Sequence, residues 1–199
     1  MKKLDLLLVG VGGQGVILAS DIIGETALAA GYDVKKTDTL GMAQRGGSVI
    51  SHLRIAERVW SPLAREGEVD LLLGFEKMET ARWAYFLRAG GSALVNAQAI
   101  PPLAVSLGRD RYPADDEIRD IIGRTGARVC WLEGIRRAQE LGNVRALNIF
   151  LLGSLSRFLP FEVSAWKESI TARLPEKLHQ LNLAAFDLGR REIDDGCLR

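Results

Sequence analysis

Apolar residues along this chain fall into short unbroken runs that end at glycines and alternate with stretches of helical period. Leu4–Val9 is a run of strand length ending in Gly10-Val11-Gly12-Gly13-Gln14-Gly15. Beyond it Val16, Ile17, Ala19, Ile22, Ile23, Ala27 and Ala30 recur at helical spacing, and Gly31 is a natural C-terminal stop. Asp33–Thr37 reads as a second strand. After a glycine-punctuated stretch, Leu40–Ser48, the segment Val49–Ile55 alternates, with Ser51, Leu53 and Ile55 on one face. Val69–Phe75 is apolar enough throughout to be a strand covered on both sides. Met78–Arg88 reads as a helix, broken by Gly90-Gly91 before the strand Ser92–Asn96.

Pro101-Pro102 opens an irregular segment that runs to Pro113. A helix is expected from Asp115 to Gly123, where Asp115, Asp116 and Glu117 suit the positive end of the helix dipole. Ala127–Leu132 is another short strand, and helices follow at Ile135–Leu141, at Val144–Phe158 and as an amphipathic pair after Pro160. Val163, Trp166, Ile170 and Leu174 keep one apolar stripe there. Alternation of strands and helices predicts an α/β fold: three α/β/α layers, a largely parallel sheet and a helical C-terminal tail. The expected organisation is a single domain over 1–199, with its helical part from about residue 135.

Composition narrows the chemistry. The 199 residues are 47% hydrophobic and carry a net charge of +1, which speaks against disorder and against binding nucleic acid by phosphate neutralisation. Met1-Lys2-Lys3 before an apolar run imitates a signal peptide, but Asp5 interrupts the run and glycines follow at once. No run approaches a membrane span. Two cysteines and two histidines are too few for an iron–sulfur cluster or a Cys-rich zinc site, so no metal site is expected. Cys130 and Cys197, far apart and unpatterned, read as thiols of a cytoplasmic protein.

Two loops could carry function. Gly10–Gly15 has the G-x-G-x-x-G spacing between a strand and a helix, where glycines let backbone approach a ligand and helix amides favour anions. Asp38 lies just past the second strand, where an acid would hold a ribose hydroxyl. A self-sufficient Rossmann-like protein binding NAD(P) or a flavin is therefore one reading, and glycines that serve only a tight turn in an interaction scaffold are another. The second loop holds Gln44, Arg45, Gly46 and Gly47, an amide and a planar guanidinium among glycines, suited to a phosphate or carboxylate. Following the second strand, it should reach the same sheet edge as the first loop.

Together, Gly10-Val11-Gly12-Gly13-Gln14-Gly15-Val16 and Gln44-Arg45-Gly46-Gly47 resemble the gamma subunit, or gamma domain, of the 2-oxoacid:ferredoxin oxidoreductases. Gly41-Met42-Ala43-Gln44 stands where the pyruvate and oxoglutarate branches usually have a proline and an acid, which resembles the beta subunit of indolepyruvate ferredoxin oxidoreductase. The likeness continues through Pro101-Pro102, Tyr112-Pro113, Gly142-Asn143, Asn148, Leu152-Gly153, Asn182 and Ala185-Phe186. It implies a subunit of an enzyme that decarboxylates a 2-oxoacid, here an aryl-pyruvate, to an acyl-coenzyme A. Thiamine diphosphate and iron–sulfur clusters would sit on a larger partner and ferredoxin would accept the electrons. The isolated chain would be colourless and inactive, and could self-associate. By the same resemblance Gly10, Gly12, Gly13, Gln14, Gly15, Gln44, Arg45, Gly46 and Gly47 face the active site or coenzyme A, and no catalytic residue is assigned.

Other residues read more plainly. His52 lies on the strand face opposite Ser51 and Leu53 without an identifiable orienting partner and is expected to be structural. Glu76 reads as a helix-start carboxylate, and Cys130 as a small core residue. Asn148 sits in a helix apolar almost all round and must find partners there, while Gly153 would let another helix come close.

Overall fold

Side-chain alternation along each strand sends apolar residues to both faces of a sheet, and helices cover both. The computed structural model describes residues 3–41 and 46–198. Its elements are β1 Leu4–Val11, α1 Val16–Ala29, β2 Asp33–Leu40, β3 Ser48–Ala56, β4 Val69–Gly74, α2 Lys77–Trp83 and β5 Leu87–Asn96. They continue as α3 Leu103–Ser106, α4 Asp115–Gly123, β6 Arg128–Leu132, α5 Gly134–Glu140, α6 Leu147–Leu155, α7 Val163–Arg173, α8 His179–Glu192 and α9 Asp195–Leu198. The strands form one sheet in the order β2-β3-β1-β4-β5-β6.

β1, β4, β5 and β6 pair in parallel, whereas β3 runs antiparallel to both of its neighbours. The sheet is thus largely parallel with one reversed strand. The connection from β2 to β3 is too short for the crossover that a parallel pair needs, so the chain turns straight back. Reversal places that connection at the carboxyl end of β1, where Val11 pairs with Ser48.

Leu6 and Leu8 point to one face and meet Ile22 and Ile23 of α1, Phe150 of α6, Trp166 of α7 and Phe186 of α8. Leu7 and Val9 point to the other and meet Ala81 of α2 and Ile118 and Ile122 of α4. All nine residues of α6 are buried, so the C-terminal helices form most of one outer layer. Within the predicted stripe Trp166 and Ile170 are fully buried, and Val163 and Leu174 pack partly buried against them.

Two boundaries differ from expectation. Helix α2 stops at Trp83, and a 3-10 turn, Ala84–Phe86, leads into β5 at Leu87. Gly90-Gly91 therefore lies inside the strand, where the β4–β5 register shifts between Val69 and Leu71. A Cβ on Gly91 would stand 3.0 Å from the Arg88 carbonyl and 3.1 Å from that of Asp70, so close backbone approach explains this residue better than chain breaking. The stretch after Pro102 contains the short helix α3.

The cysteine reading is overturned. Cys130 and Cys197 form a disulfide across 67 residues, with their Cα atoms 5.6 Å apart. The C-terminal helices fold back over the sheet and carry α9 to β6, a contact that separation along the chain does not reveal. Cys130 is nonetheless a core residue, 2% exposed. The thiol argument for a cytoplasmic location falls with the pairing. No helix among the described residues is long and apolar enough to cross a membrane.

Asp5, the residue that breaks the first apolar run, is completely buried in β1. Its register partner on β3 is Arg54, whose Nε donates to Oδ1 at 2.9 Å. Lys3 Nζ lies 2.9 Å from Oδ2 but off the line of a hydrogen bond, so that oxygen has charge compensation and no donor.

Candidate functional site

The two glycine loops meet at the carboxyl edge of the sheet. The Gly12 N–H donates to the Gly47 carbonyl at 2.8 Å, and Gly41 N–H donates to Ser48 O at 2.8 Å to close the base of the second loop. Val11, Gly12, Gly13, Gly15, Val16, Ile17, Leu40, Gly41 and Val49 line a mostly apolar cavity of about 550 Å³ between them. Gly10, Gly12, Gly13, Gln14 and Gly15 are thus brought together with Gly46 and Gly47. Gln44 and Arg45 lie outside the described residues.

Helix α1 leaves β1 on one face of the sheet and α2 leaves β4 on the other. In an open α/β sheet that reversal creates a crevice for a ligand. Here Gln14 bridges it. Its Oε1 accepts from Val11 N–H at 2.8 Å, and its Nε2 donates to the Phe75 carbonyl at 2.9 Å and to Gln98 Oε1 at 3.0 Å. The Phe75 N–H in turn donates to Val9 O at 2.8 Å. A Cβ on Gly10 would come within 2.8 Å of both Gln14 Oε1 and Phe75 Cβ, so this glycine makes room for protein. Asp38 is also occupied: Ser51 Oγ donates to it at 2.6 Å and Lys36 Nζ stands 3.0 Å away. Gln14 thus fills the gap between the two helices with protein contacts, and Asp38 is held by Ser51 and Lys36.

The model of the pyruvate ferredoxin/flavodoxin oxidoreductase family matches residues 5–192, a span that contains both loops. The chain belongs to that family. It is a subunit of a 2-oxoacid:ferredoxin oxidoreductase. The indolepyruvate oxidoreductase subunit IorB of Thermococcus kodakarensis is 38% identical to it over 192 residues, 95% of either chain. Two solved structures show the fold. A keto/oxoacid ferredoxin oxidoreductase gamma subunit from Geobacter sulfurreducens superposes with a TM-score of 0.70 at 23% identity, covering 95% of this chain and 97% of that one. The 2-oxoglutarate:ferredoxin oxidoreductase of Magnetococcus marinus, solved with 2-oxoglutarate, coenzyme A and succinyl-CoA bound, gives 0.76 at 21% identity. The match covers 96% of this chain but only 31% of the M. marinus one, so the same fold also occurs within a longer chain.

For a subunit of such an oxidoreductase the remaining polar residues near the edge are mostly committed to structure. Glu76, fully buried, caps α2: Oε2 accepts from Glu79 N–H at 2.7 Å, while Oε1 takes Ile100 N–H at 3.1 Å and the Tyr112 hydroxyl. Burial and then the Glu76 carboxylate push the Tyr112 phenol well above its ordinary range. Asn96 donates to Phe75 O and accepts from Gly134 N–H, which ties β5 to the start of α5. Apart from the local Glu76 cap, these bonds join residues 21 to 38 positions apart, so no local motif announces them. Among the described residues no group of three or more His, Cys, Asp or Glu could hold a metal ion.

His52 is buried beside Phe86, ring centroids 5.4 Å apart and nearly edge-on, and its Nδ1 has no hydrogen-bond partner. Burial holds its imidazole below the ordinary value of 6.5. The unfolded chain then takes up a proton more readily than the folded one, so stability falls as pH drops below about 6.5 and levels off under the folded pKa. Urea midpoints measured between pH 8 and pH 5 should show this slope, and His52→Gln should flatten it. An unchanged slope in the variant would assign the pH dependence to other groups.

Proposed function

We propose that this chain completes the coenzyme A side of the active site in an oxidoreductase that converts an aryl-pyruvate such as indolepyruvate, with coenzyme A, to an acyl-coenzyme A and carbon dioxide. The observation that carries the reading is the hydrogen-bonded meeting of the two glycine loops over an apolar cavity at one sheet edge. The identity to an indolepyruvate oxidoreductase subunit over nearly the whole chain supports the aryl substrate, as does Gly41-Met42-Ala43-Gln44 before Arg45.

The residues present do not fit a cluster or thiamine diphosphate. Both cysteines are spent in the disulfide, and the sequence has no Gly-Asp-Gly thiamine signature. Both groups are assigned to a larger partner, where thiamine diphosphate would supply an electron sink for decarboxylation and the clusters would carry the electrons on to ferredoxin. Gly12, Gly13, Gly46 and Gly47 offer close backbone approach, and Arg45 offers a fork of donors for a phosphate. Gln14 acts by holding the first loop in place.

Co-purification from the native host should recover a partner that contains thiamine diphosphate. The complex should reduce ferredoxin with indolepyruvate or phenylpyruvate in preference to pyruvate or 2-oxoglutarate, and this chain alone should be inactive on all four. In the complex, Arg45→Ala should raise the KM for coenzyme A at least about ten-fold, the loss of one charge-assisted contact. A partner without thiamine diphosphate would overturn the reading, and an unchanged KM would remove coenzyme A from Arg45.

A further inference from the structure

The edge strand β6 carries Cys130 and Leu132 on the face that the C-terminal helices cover. Against that strand lies α9, a single helical turn. Buried Ile193 anchors the chain just before it. Beyond Ile193, Cys197 and Leu198 pack only partly buried, the Leu198 carbonyl accepts from Arg128 Nη1 at 3.0 Å, and the Cys197 N–H donates back to Asp194 O at 3.2 Å. One turn of helix is not stable without tertiary support, and chain termini fray unless tied down. The Cys130–Cys197 bond is therefore the main hold on the last residues of the chain.

Its two sulfurs differ in access. Cys130 is 2% exposed, whereas Cys197 is partly open to solvent. Thiol–disulfide exchange needs a thiolate to attack one sulfur and expel the other. Access makes Cys197 Sγ the sulfur attacked and Cys130 the leaving group.

Strand β6 also reaches the glycine-loop edge. Leu132 pairs with Asn96, and Gly134, two residues on, donates its N–H to Asn96 Oδ1 at 3.2 Å. Asn96 Nδ2 donates at 2.9 Å to the Phe75 carbonyl, the same oxygen that takes Gln14 Nε2. Helix α5, which starts at Gly134, is tied to the end of α8 by Arg137 and Glu192, 3.0 Å apart, and the tail leaves from that end. The covalent tie at Cys130 and the Asn96 clamp thus sit on one five-residue strand.

We propose that the Cys130–Cys197 pair is a redox latch. Opened by a protein dithiol of the Cys-X-X-Cys class, it frees the C-terminal turn and loosens β6 and the Gly134–Asn96 contact beside the first glycine loop. One thiolate of the dithiol bonds to Cys197 Sγ, the S–S bond breaks, and Cys130 leaves as a thiolate that takes up a proton. The second thiol of the dithiol then attacks the mixed disulfide and releases Cys197 as a thiol. Two electrons and two protons pass to the chain, and the dithiol ends as its own disulfide. None of these steps involves coenzyme A or a 2-oxoacid.

The full chain, purified in air, should take no iodoacetamide label when denatured without reductant and two labels after treatment with dithiothreitol or reduced thioredoxin. A thioredoxin whose second active-site cysteine is serine should be trapped on Cys197. By hydrogen-exchange mass spectrometry, reduction should speed exchange at 194–198 at least about ten-fold and at Gly134 by about three-fold or more, while β1 stays unchanged. Cys197→Ser, at a partly exposed position, should exchange like the reduced wild type and ignore dithiothreitol. Two thiols labelled before reduction, capture through Cys130, or unchanged exchange at 194–198 or at Gly134 after reduction would each overturn the latch.

Discussion

Alanine at Gly189 or Gly153 is expected to destabilise the protein by about 3 kcal/mol, the upper part of the range for overpacking a filled core. By helix propensity alone each change should stabilise by about 1 kcal/mol, so packing must reverse the sign. Helices α6 and α8 cross with a glycine from each at the contact. A Cβ on Gly153 would stand 2.1 Å from the Phe186 carbonyl oxygen, and one on Gly189 would stand 1.9 Å from that of Phe150. Both obstacles are backbone, which cannot swing aside as a side chain does. The helices would have to separate, breaking the Ser154 Oγ bond to Gly189 O at 3.1 Å and loosening the shell around Phe150 and Phe186. Gly24→Ala in α1 is the control, because its Cβ would meet Val34 and Leu53 at 3.6 and 3.7 Å, ordinary contact distances. Thermal unfolding should place the first two variants roughly 6–12 °C below wild type and the control at or above it. A Gly189→Ala midpoint equal to that of Gly24→Ala would refute the crossing geometry.

Arg54→Ala should cost about 3–5 kcal/mol because it strands the buried Asp5 carboxylate. Arg54 Nη1 also holds the carbonyls of Ser61 and Leu63 at 3.1 and 3.2 Å, so the β3–β4 connection would loosen with it. Lys3 alone is a poor substitute, being half-exposed and misaligned with Oδ2. The double variant Asp5→Leu with Arg54→Met should recover most of the loss, since replacing both partners removes the unpaired charge. Denaturant unfolding of the single and double variants decides the matter; additive losses would mean that the pair is uncoupled.

The strands bounded by glycines were legible because an unbroken apolar run that ends at glycines after a few residues is too short for a helix. The α1 face and the stripe from Val163 to Leu174 were legible from a period of 3.6. Glu76 as a helix-start carboxylate also followed from local pattern. What escaped depends on partners distant along the chain. Gly90-Gly91 reads as a breaker, although Gly91 lies in the strand with the β4 backbone too close for a side chain. The reversed β3, the Cys130–Cys197 bond and the coupling of Asp5 to Arg54 each need the topology before they can be seen. At the site, spacing placed both glycine loops on one edge, but the commitment of Gln14 to Val11, Phe75 and Gln98 was hidden.

The Gln14 bridge bears on how glycine fingerprints are read in general. Glycine spacing encodes a path for the backbone, and that path is shared by chains that hold a nucleotide and chains that do not. In this chain the residue before the third glycine, Gln14, spans the gap to β4 with its amide and ties the loop to the sheet. The loop is therefore also an internal brace, and a change at Gln14 acts on the end of β1 and on the segment after β4 together.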